Sequence, residues 1–284
     1  MDTKLLYIGK NGNVLDLFNN EYFILTHADG LTDVSSNVST STTPYMDGDT
    51  VNNVRSVPRG IVLDLRIKQG VVVEEAKRFI LQTIKPKQSG KLQLTQIDRM
   101  TEIAGVVENV TMPRFTDTAI MQVTLYCSEP YWSDVSFMEV ELARVLDLHC
   151  FPIDTNGLAF PLEGVPFGEF EINNTRTYTN DGDADCGMII TIVANAEAIN
   201  PTLYKSDGSY IGINDTLVTG DKVIINTNRG NKTITKNGIS IFDKIKKGST
   251  FLQMETGDNE FTIDSDGGTE GNLYFTLSFK RRFV

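Results

Sequence analysis

Tyr126-Cys127-Ser128-Glu129-Pro130-Tyr131-Trp132 closes a run of alternating apolar residues and carries the single tryptophan of a 284-residue chain. Pro130 has no backbone N–H and biases Glu129 toward extended geometry, so a central strand is not expected to run through that point. Tyr131 and Trp132 each combine a large apolar ring with a polar edge, a composition suited to a plug where the chain crosses between two bodies. The stretch therefore reads as a boundary, with Tyr131 and Trp132 as the expected inter-domain anchor.

Immediately upstream, Ala119 to Tyr126 sets Met121, Val123 and Leu125 against Gln122 and Thr124, the period of a half-buried strand. Ile61 to Ile67, Leu92 to Ile97 and Ile103 to Val110 have the same character. Between them Val72 to Ile84 changes period. Val72, Val73, Ala76, Phe79, Ile80 and Ile84 share one helical stripe, Glu74 and Glu75 suit the positive end of the helix dipole, and Pro86 stops the helix. The opening runs Leu5 to Ile8 and Val14 to Leu17 flank Gly9-Lys10-Asn11-Gly12, a hairpin signature, and Tyr22 to Leu25 adds a further apolar run. Strands, one helix and more strands predict a small barrel or sandwich with a helix packed on it, over residues 1–136.

One segment of that half stands apart. Asp29 to Val57 is rich in Ser, Thr, Asn and Asp and far exceeds the median connection of about 4 to 6 residues, so it is expected to be functional, disordered or an arm.

Downstream of the boundary, Met138 to His149 fits either a helix or an extended run. Phe151-Pro152, Phe160-Pro161 and Val165-Pro166-Phe167 punctuate a semi-rigid linker over residues 137–168. From residue 169 to 284 short apolar runs recur between Asp-Gly, Thr-Gly-Asp, Arg-Gly-Asn, Lys-Asn-Gly and Gly-Asp-Asn turns, the pattern of an antiparallel β-sandwich.

The formal net charge is -11, with 13 basic and 16 acidic side chains in residues 1–136 and 13 and 21 in residues 137–284. Nucleic-acid recognition needs a basic face to displace counterions, so sequence-specific binding is not expected. Lys280-Arg281-Arg282 is the one basic cluster and reads as a solvated strand end. No apolar run approaches the roughly 20 residues of a membrane helix and no signal-peptide core follows Met1, so an intracellular product without a membrane anchor is expected.

Catalytic signals are missing. The two histidines, His27 and His149, lie in no recognisable nucleophile, phosphate-loop or zinc-protease motif. Cys127, Cys150 and Cys186 are too dispersed for a disulfide framework or a paired metal site and read as buried thiols. Asp181-Gly182-Asp183-Ala184-Asp185 imitates the start of a calcium loop, but Cys186 and Ile192 stand where glycine and glutamate would be needed; a solvated Asp-Gly turn is expected. Neither a metal nor a cofactor is implied. Tyr178, Tyr204, Tyr210 and Tyr274 could serve a sugar-binding sandwich, which keeps a monomeric carbohydrate-binding module as the alternative, without a tryptophan platform in the sandwich.

Tyr45-Met46-Asp47-Gly48-Asp49, Arg59 to Leu65, the helix running into Ile84-Lys85-Pro86, Gly90-Lys91-Leu92 and Tyr126 to Trp132 together resemble the N-terminal domain of the phage distal tail protein family. In the second half Asn180-Asp181-Gly182-Asp183, Asn200-Pro201, Thr219-Gly220-Asp221 leading into Ile224 to Thr227, Ser249 to Met254 and Gly257-Asp258-Asn259 resemble that family's C-terminal sandwich. The resemblance implies a mainly β protein: an N-terminal split β-barrel that closes into a homo-hexameric ring, and a C-terminal galectin-like sandwich outside it. It further implies a baseplate hub in the virion tail tip, assembled in the host cytoplasm, joining the tail tube protein to the tail-associated fibre or lysin protein while the outer domain carries receptor-binding proteins. The large sandwich insertion by which some relatives grip such adhesins is absent. On this reading Ser35, Thr43, Tyr45 and Asp47 mark an arm toward a neighbouring subunit or the tube.

Overall fold

A computed structural model describes residues 3–45, 47–97, 99–112, 119–142 and 174–284. The fold is mainly β, as the sequence predicts, and divides into two compact units, Met1–Ser136 with Arg282–Val284, and Phe137–Arg281.

The first unit contains β1 (Lys4–Gly9), β2 (Val14–Asp16), β3 (Phe23–Asp29), β4 (Ser36–Thr42), β5 (Asp49–Ser56), β6 (Arg59–Ile67), α1 (Val73–Thr83), β7 (Ser89–Gln96), β8 (Arg99–Thr111), β9 (Ile120–Cys127) and β10 (Trp132–Asp134). Its main sheet runs β2-β1-β7-β8-β9-β6-β3, with β10 paired to β8. Every second residue of β6 points into the core: Ile61, Leu63 and Leu65 are buried, as are Met121, Val123 and Leu125 of the adjacent β9. Each such side chain contributes about 2 kcal/mol of apolar burial, which is why the alternation sets the register.

The helix closes this core with Ala76, Ile80 and Ile84. Its apolar stripe is shorter at the N-terminal end than the sequence pattern predicts, because Val72 and Val73 stay exposed. Glu74 and Glu75 occupy its first turn, and the Ile84 N–H donates to Ile80 O at 2.8 Å where the helix stops ahead of Pro86. Tyr22 stacks on Phe79 at 4.4 Å between ring centroids and tucks the chain ahead of β3 against the helix. β9 ends at Cys127 and β10 begins at Trp132, so Pro130 sits between strands.

The second unit contains β11 (Met138–Glu141), β12 (Thr175–Asn180), β13 (Cys186–Ala194), β14 (Ala198–Lys205), β15 (Tyr210–Gly212), β16 (Thr216–Leu217), β17 (Lys222–Asn226), β18 (Thr233–Lys236), β19 (Ile239–Ser240), β20 (Gln253–Met254), β21 (Gly257–Asp266) and β22 (Leu273–Phe279). One sheet runs β11-β22-β13-β17-β18-β19 with β20 on β13, and the other runs β12-β21-β14-β15 with β16 on β14. Ile190, Ile192, Ile225, Phe275 and Leu277 from the first sheet and Leu203, Phe261 and Ile263 from the second belong to one core. This is the antiparallel sandwich that the short, turn-punctuated runs predict.

Two details differ from the sequence reading. Met138–Glu141 is extended, paired with β22 from Met138↔Phe279 to Glu141↔Thr276, which resolves the start of the ambiguous segment as strand. The C-terminus is not a solvated strand end. Arg282–Phe283 forms β23, paired with β10 through Trp132↔Phe283 and Ser133↔Arg282, and Phe283 is buried in the first core. The proline-punctuated part of the expected linker, with His149 and Cys150, lies outside the described residues.

Candidate functional site: an exposed hairpin and its buried base

The long polar segment is a β-hairpin. β4 and β5 pair antiparallel from Ser36↔Ser56 to Thr42↔Asp49, with an irregularity between Ser39 and Thr40, and the Val57 N–H donates to Ser35 O at 2.9 Å below the first pair. They form a two-stranded sheet of their own, and among the described residues no further strand pairs with either outer edge. Apart from Ser56, every residue of both strands is exposed, including Val38, Val51 and Val54.

Ser, Thr and Asn predominate along β4, so its sequence offers no apolar face to bury. Side-chain bonds are sparse: Thr40 Oγ1 donates to Asp49 at 3.3 Å and Ser41 Oγ donates to Asn52 at 3.3 Å. Tyr45, in the turn at the tip, is fully exposed and holds a positive φ of 68°. A lone two-stranded hairpin in water is marginal, and its unpaired edge N–H and C=O groups are ready to accept another strand. Of the residues expected to mark an arm, Ser35 lies at the base, Thr43 and Tyr45 at the tip, and Asp47 in the same turn region, all exposed.

The base is built differently. Arg59 Nη1 donates to Leu31 O at 2.6 Å, and Trp132 Nε1 donates to the same oxygen at 2.8 Å. Both donors are buried, Arg59 with 4% and Trp132 with 2% exposure. Ser56, the last residue of β5, shares a 2.7 Å hydroxyl–hydroxyl hydrogen bond with Tyr131. Gly30 takes a φ of +75°, and a Cβ there would stand 2.0 Å from Gly60 O, so only glycine lets the chain leave β3 this closely over β6. Sequence reasoning nominated Tyr131 and Trp132 but missed Arg59 and Leu31; the sign available was an arginine on the inward-facing phase of β6, in step with Ile61, Leu63 and Leu65.

Opposite Arg59 in register stands Cys127, whose thiol burial pushes up to about 11, so it remains neutral. Burial lowers the pKa of Arg59 as well, while Cys127 and Asp33 act electrostatically in the other direction.

In the second unit the family-like turn residues act as clamps. Asn180, buried, accepts from Gly182 N at 3.1 Å and donates to Met254 O at 3.3 Å. Asn259 accepts from Glu255 N at 2.9 Å and donates to Glu255 O at 2.7 Å. Asp221 accepts from Val218 N at 2.9 Å and Asn237 Nδ2 at 2.8 Å and pairs with Lys236 at 2.9 Å. Lys236 also reaches Asp215 at 3.1 Å, and Lys244 reaches Asp215 at 2.8 Å.

Asp181, in the turn that imitates a calcium loop, is exposed, as expected of a solvated turn, and both its oxygens accept from Arg281 Nη1 at 2.9 Å. Among the described residues no His, Cys, Asp and Glu group is arranged to hold a metal. The four tyrosines considered for sugar binding do not converge. Tyr204 and Tyr210 are 5.4 Å apart, but Tyr210 donates to Lys247 O and Tyr178 to Glu141 O, and Tyr274 lies in β22 of the other sheet.

Residues 181–283 match the family model described as siphovirus-type tail component, C-terminal domain, so the second unit carries that domain and the resemblance to the phage distal tail protein family is borne out. The whole chain aligns with the whole of the phage SPP1 Dit protein at a TM-score of 0.70 and 12% identity, a structure described as a paradigm of the hub adsorption apparatus in phages infecting Gram-positive hosts. It also aligns over its full length with a whole chain of the phage P2 baseplate in its activated conformation, at a TM-score of 0.51 and 14% identity with calcium and 0.50 and 13% with strontium. At such identities the solved structures establish a shared fold. No curated protein matches the chain in sequence.

Proposed function

We propose that this chain is a ring-forming structural subunit of a phage or phage-like tail tip, a homo-hexameric distal tail hub joining the tail tube to the tail-associated fibre or lysin protein. The observation that carries the reading is the exposed β4–β5 hairpin, set in a hub-type fold. In a closed ring each subunit offers one surface and receives another, and a hairpin with unpaired outer edges supplies the offered half. Ser35, Thr43, Tyr45 and Asp47 belong to this arm, which reaches the next subunit or the tube.

In the same reading residues 1–136, completed by the returning Arg282–Val284, form the ring, and the sandwich unit Phe137–Arg281 forms an outer domain that docks receptor-binding proteins. Tyr131 and Trp132, the expected anchor at the domain boundary, hold the base of the arm through Ser56 and Leu31 O. The protein works in the virion after assembly in the host cytoplasm, and its role is structural rather than catalytic. A net charge of -11 supports a conduit that does not retain nucleic acid passing through it.

The test compares the full chain with a variant lacking residues 35–43, by light scattering and negative-stain electron microscopy with and without tail tube protein. The full chain is expected to give rings several times the 31.5 kDa subunit mass, and the deletion to lose them. Rings and tails formed equally well by the deletion would defeat the arm, and a glycan-binding monomer that never joins the tube would defeat the hub.

A further inference from the structure

Arg59 spends one of its three nitrogens on Leu31 O. Its Nε and Nη2 are buried and have no hydrogen-bond partner among the described residues. These are not two random atoms of the group. Nε–H and Nη2–H lie parallel on one edge of the guanidinium and form the fork that matches a carboxylate side-on. A buried cation with an open fork is costly, because the desolvation of each donor is uncompensated and removal of a charge from water is only repaid by a paired, hydrogen-bonded partner.

Two groups act on Arg59 electrostatically, Cys127 and Asp33. Cys127 faces Arg59 across the β6–β9 pair, but burial pushes its thiol up to about 11, so at neutral pH it brings no counter-charge. Asp33 is the carboxylate that acts on Arg59 electrostatically. It is exposed, and it lies two positions beyond the Leu31 carbonyl that Arg59 already holds. The intervening chain is the strap between β3 and the hairpin, with Ser35 bonded to Val57 at its far end.

We propose that Arg59 is the fixed half of a carboxylate latch: its Nε–H and Nη2–H receive the Asp33 side chain, and closing that contact pins the Leu31-to-Ser35 strap and so sets the direction in which the β4–β5 hairpin leaves the subunit. Leu31 O, gripped by Arg59 and Trp132 together, is the pivot. The latch concerns anchorage of the hairpin within one subunit and holds whether or not the hairpin joins a neighbour.

Amide hydrogen exchange on the full chain reads the latch at Val57, whose N–H closes the hairpin base, and at Thr32 to Ser35. Asp33→Asn is expected to speed exchange there by about tenfold, the loss of a charge-assisted contact, while Asp33→Glu keeps protection within about twofold. In an Arg59→Gln background Asp33→Asn is expected to change nothing further. Unchanged exchange in Asp33→Asn, or an equal change in both backgrounds, overturns the latch. If Arg59→Gln does not fold, the single variants decide: loss in Asn with retention in Glu supports the latch, and equal loss in both refutes it.

Discussion

Trp132 lies opposite Phe283 in an antiparallel pair, so the segment that takes the chain out of the first unit is bonded to the segment that brings it back. Arg99 covers the Phe283 ring at 3.9 Å, and Arg282 reaches Glu129 at 3.6 Å, which fastens the last residues onto the first fold rather than the second.

Truncation after Arg281 is therefore expected to weaken the unit at the opposite end of the sequence. Losing buried Phe283 corresponds to about 3 to 5 kcal/mol, the range for removing a large aromatic from a core. Because Trp132 is the sole tryptophan, its fluorescence reports this unit alone; it should shift to the red and its denaturation midpoint should fall. An unaltered tryptophan transition in the truncated chain would contradict the pairing.

Trp132→Phe separates the ring from its hydrogen bond. The variant keeps most of the apolar burial and loses only the Nε1–H bond to Leu31 O, so guanidinium denaturation followed by circular dichroism should show a loss of about 1 kcal/mol. Trp132→Ala should lose about 3 to 5 kcal/mol.

Tyr7→Phe should stabilise the protein. The Tyr7 hydroxyl is buried with no partner among the described residues, and burial raises its pKa, so deleting it removes an uncompensated desolvation of about 1 kcal/mol. Gly90→Ala should do the reverse, since a Cβ there would stand 2.2 Å from the Tyr7 hydroxyl oxygen. Thermal melts of the two variants should move in opposite directions.

Acid should loosen the sandwich through Asp221. The Val218 N–H, then Lys236 and Asn237, hold its carboxyl down from an ordinary 3.8 to about 2. A carboxyl depressed by folding contributes stability above its unfolded value and loses it as the pH falls through its folded value, so this contribution disappears between about pH 4 and about pH 2. Asp221→Asn should lower stability at neutral pH and flatten the pH dependence across that interval, read as unfolding midpoints by circular dichroism.

Charging the hairpin should affect assembly without affecting the subunit. Val38 and Val54 are exposed and face each other across β4 and β5, so Val38→Lys or Val54→Lys should change monomer stability by less than about 0.5 kcal/mol. Ring formation should fall. Rings that persist in the doubly charged variant would count against an apolar contact through this arm.

Strand and helix identities were legible wherever the pattern was local. The alternation of Ile61, Leu63 and Leu65 against Val62 and Asp64 announced β6, and the return of Ala76, Ile80 and Ile84 every four residues announced α1. In the second half the recurring turns mark where the short strands lie, as for Lys222–Asn226 between Thr219-Gly220-Asp221 and Arg229-Gly230-Asn231. β4 and β5 were not legible as strands, because a hairpin exposed on both faces has no apolar period to display; only its length and polarity set it apart. Met138–Glu141 was ambiguous because four residues are too few to separate a period of two from one of 3.6.

By itself the sequence determined a mainly β chain with one amphipathic helix, a proline-broken turn ahead of Trp132, and a long polar segment without a core of its own. The tertiary structure alone decided that Phe283 returns to Trp132, that Arg59 and Trp132 meet on one carbonyl oxygen, and that the Arg59 fork has no partner among the described residues. The division has a physical cause. Burial of every second or every fourth side chain is written into neighbouring residues, whereas a hydrogen bond between distant strands depends on backbone placement that leaves no period in the sequence.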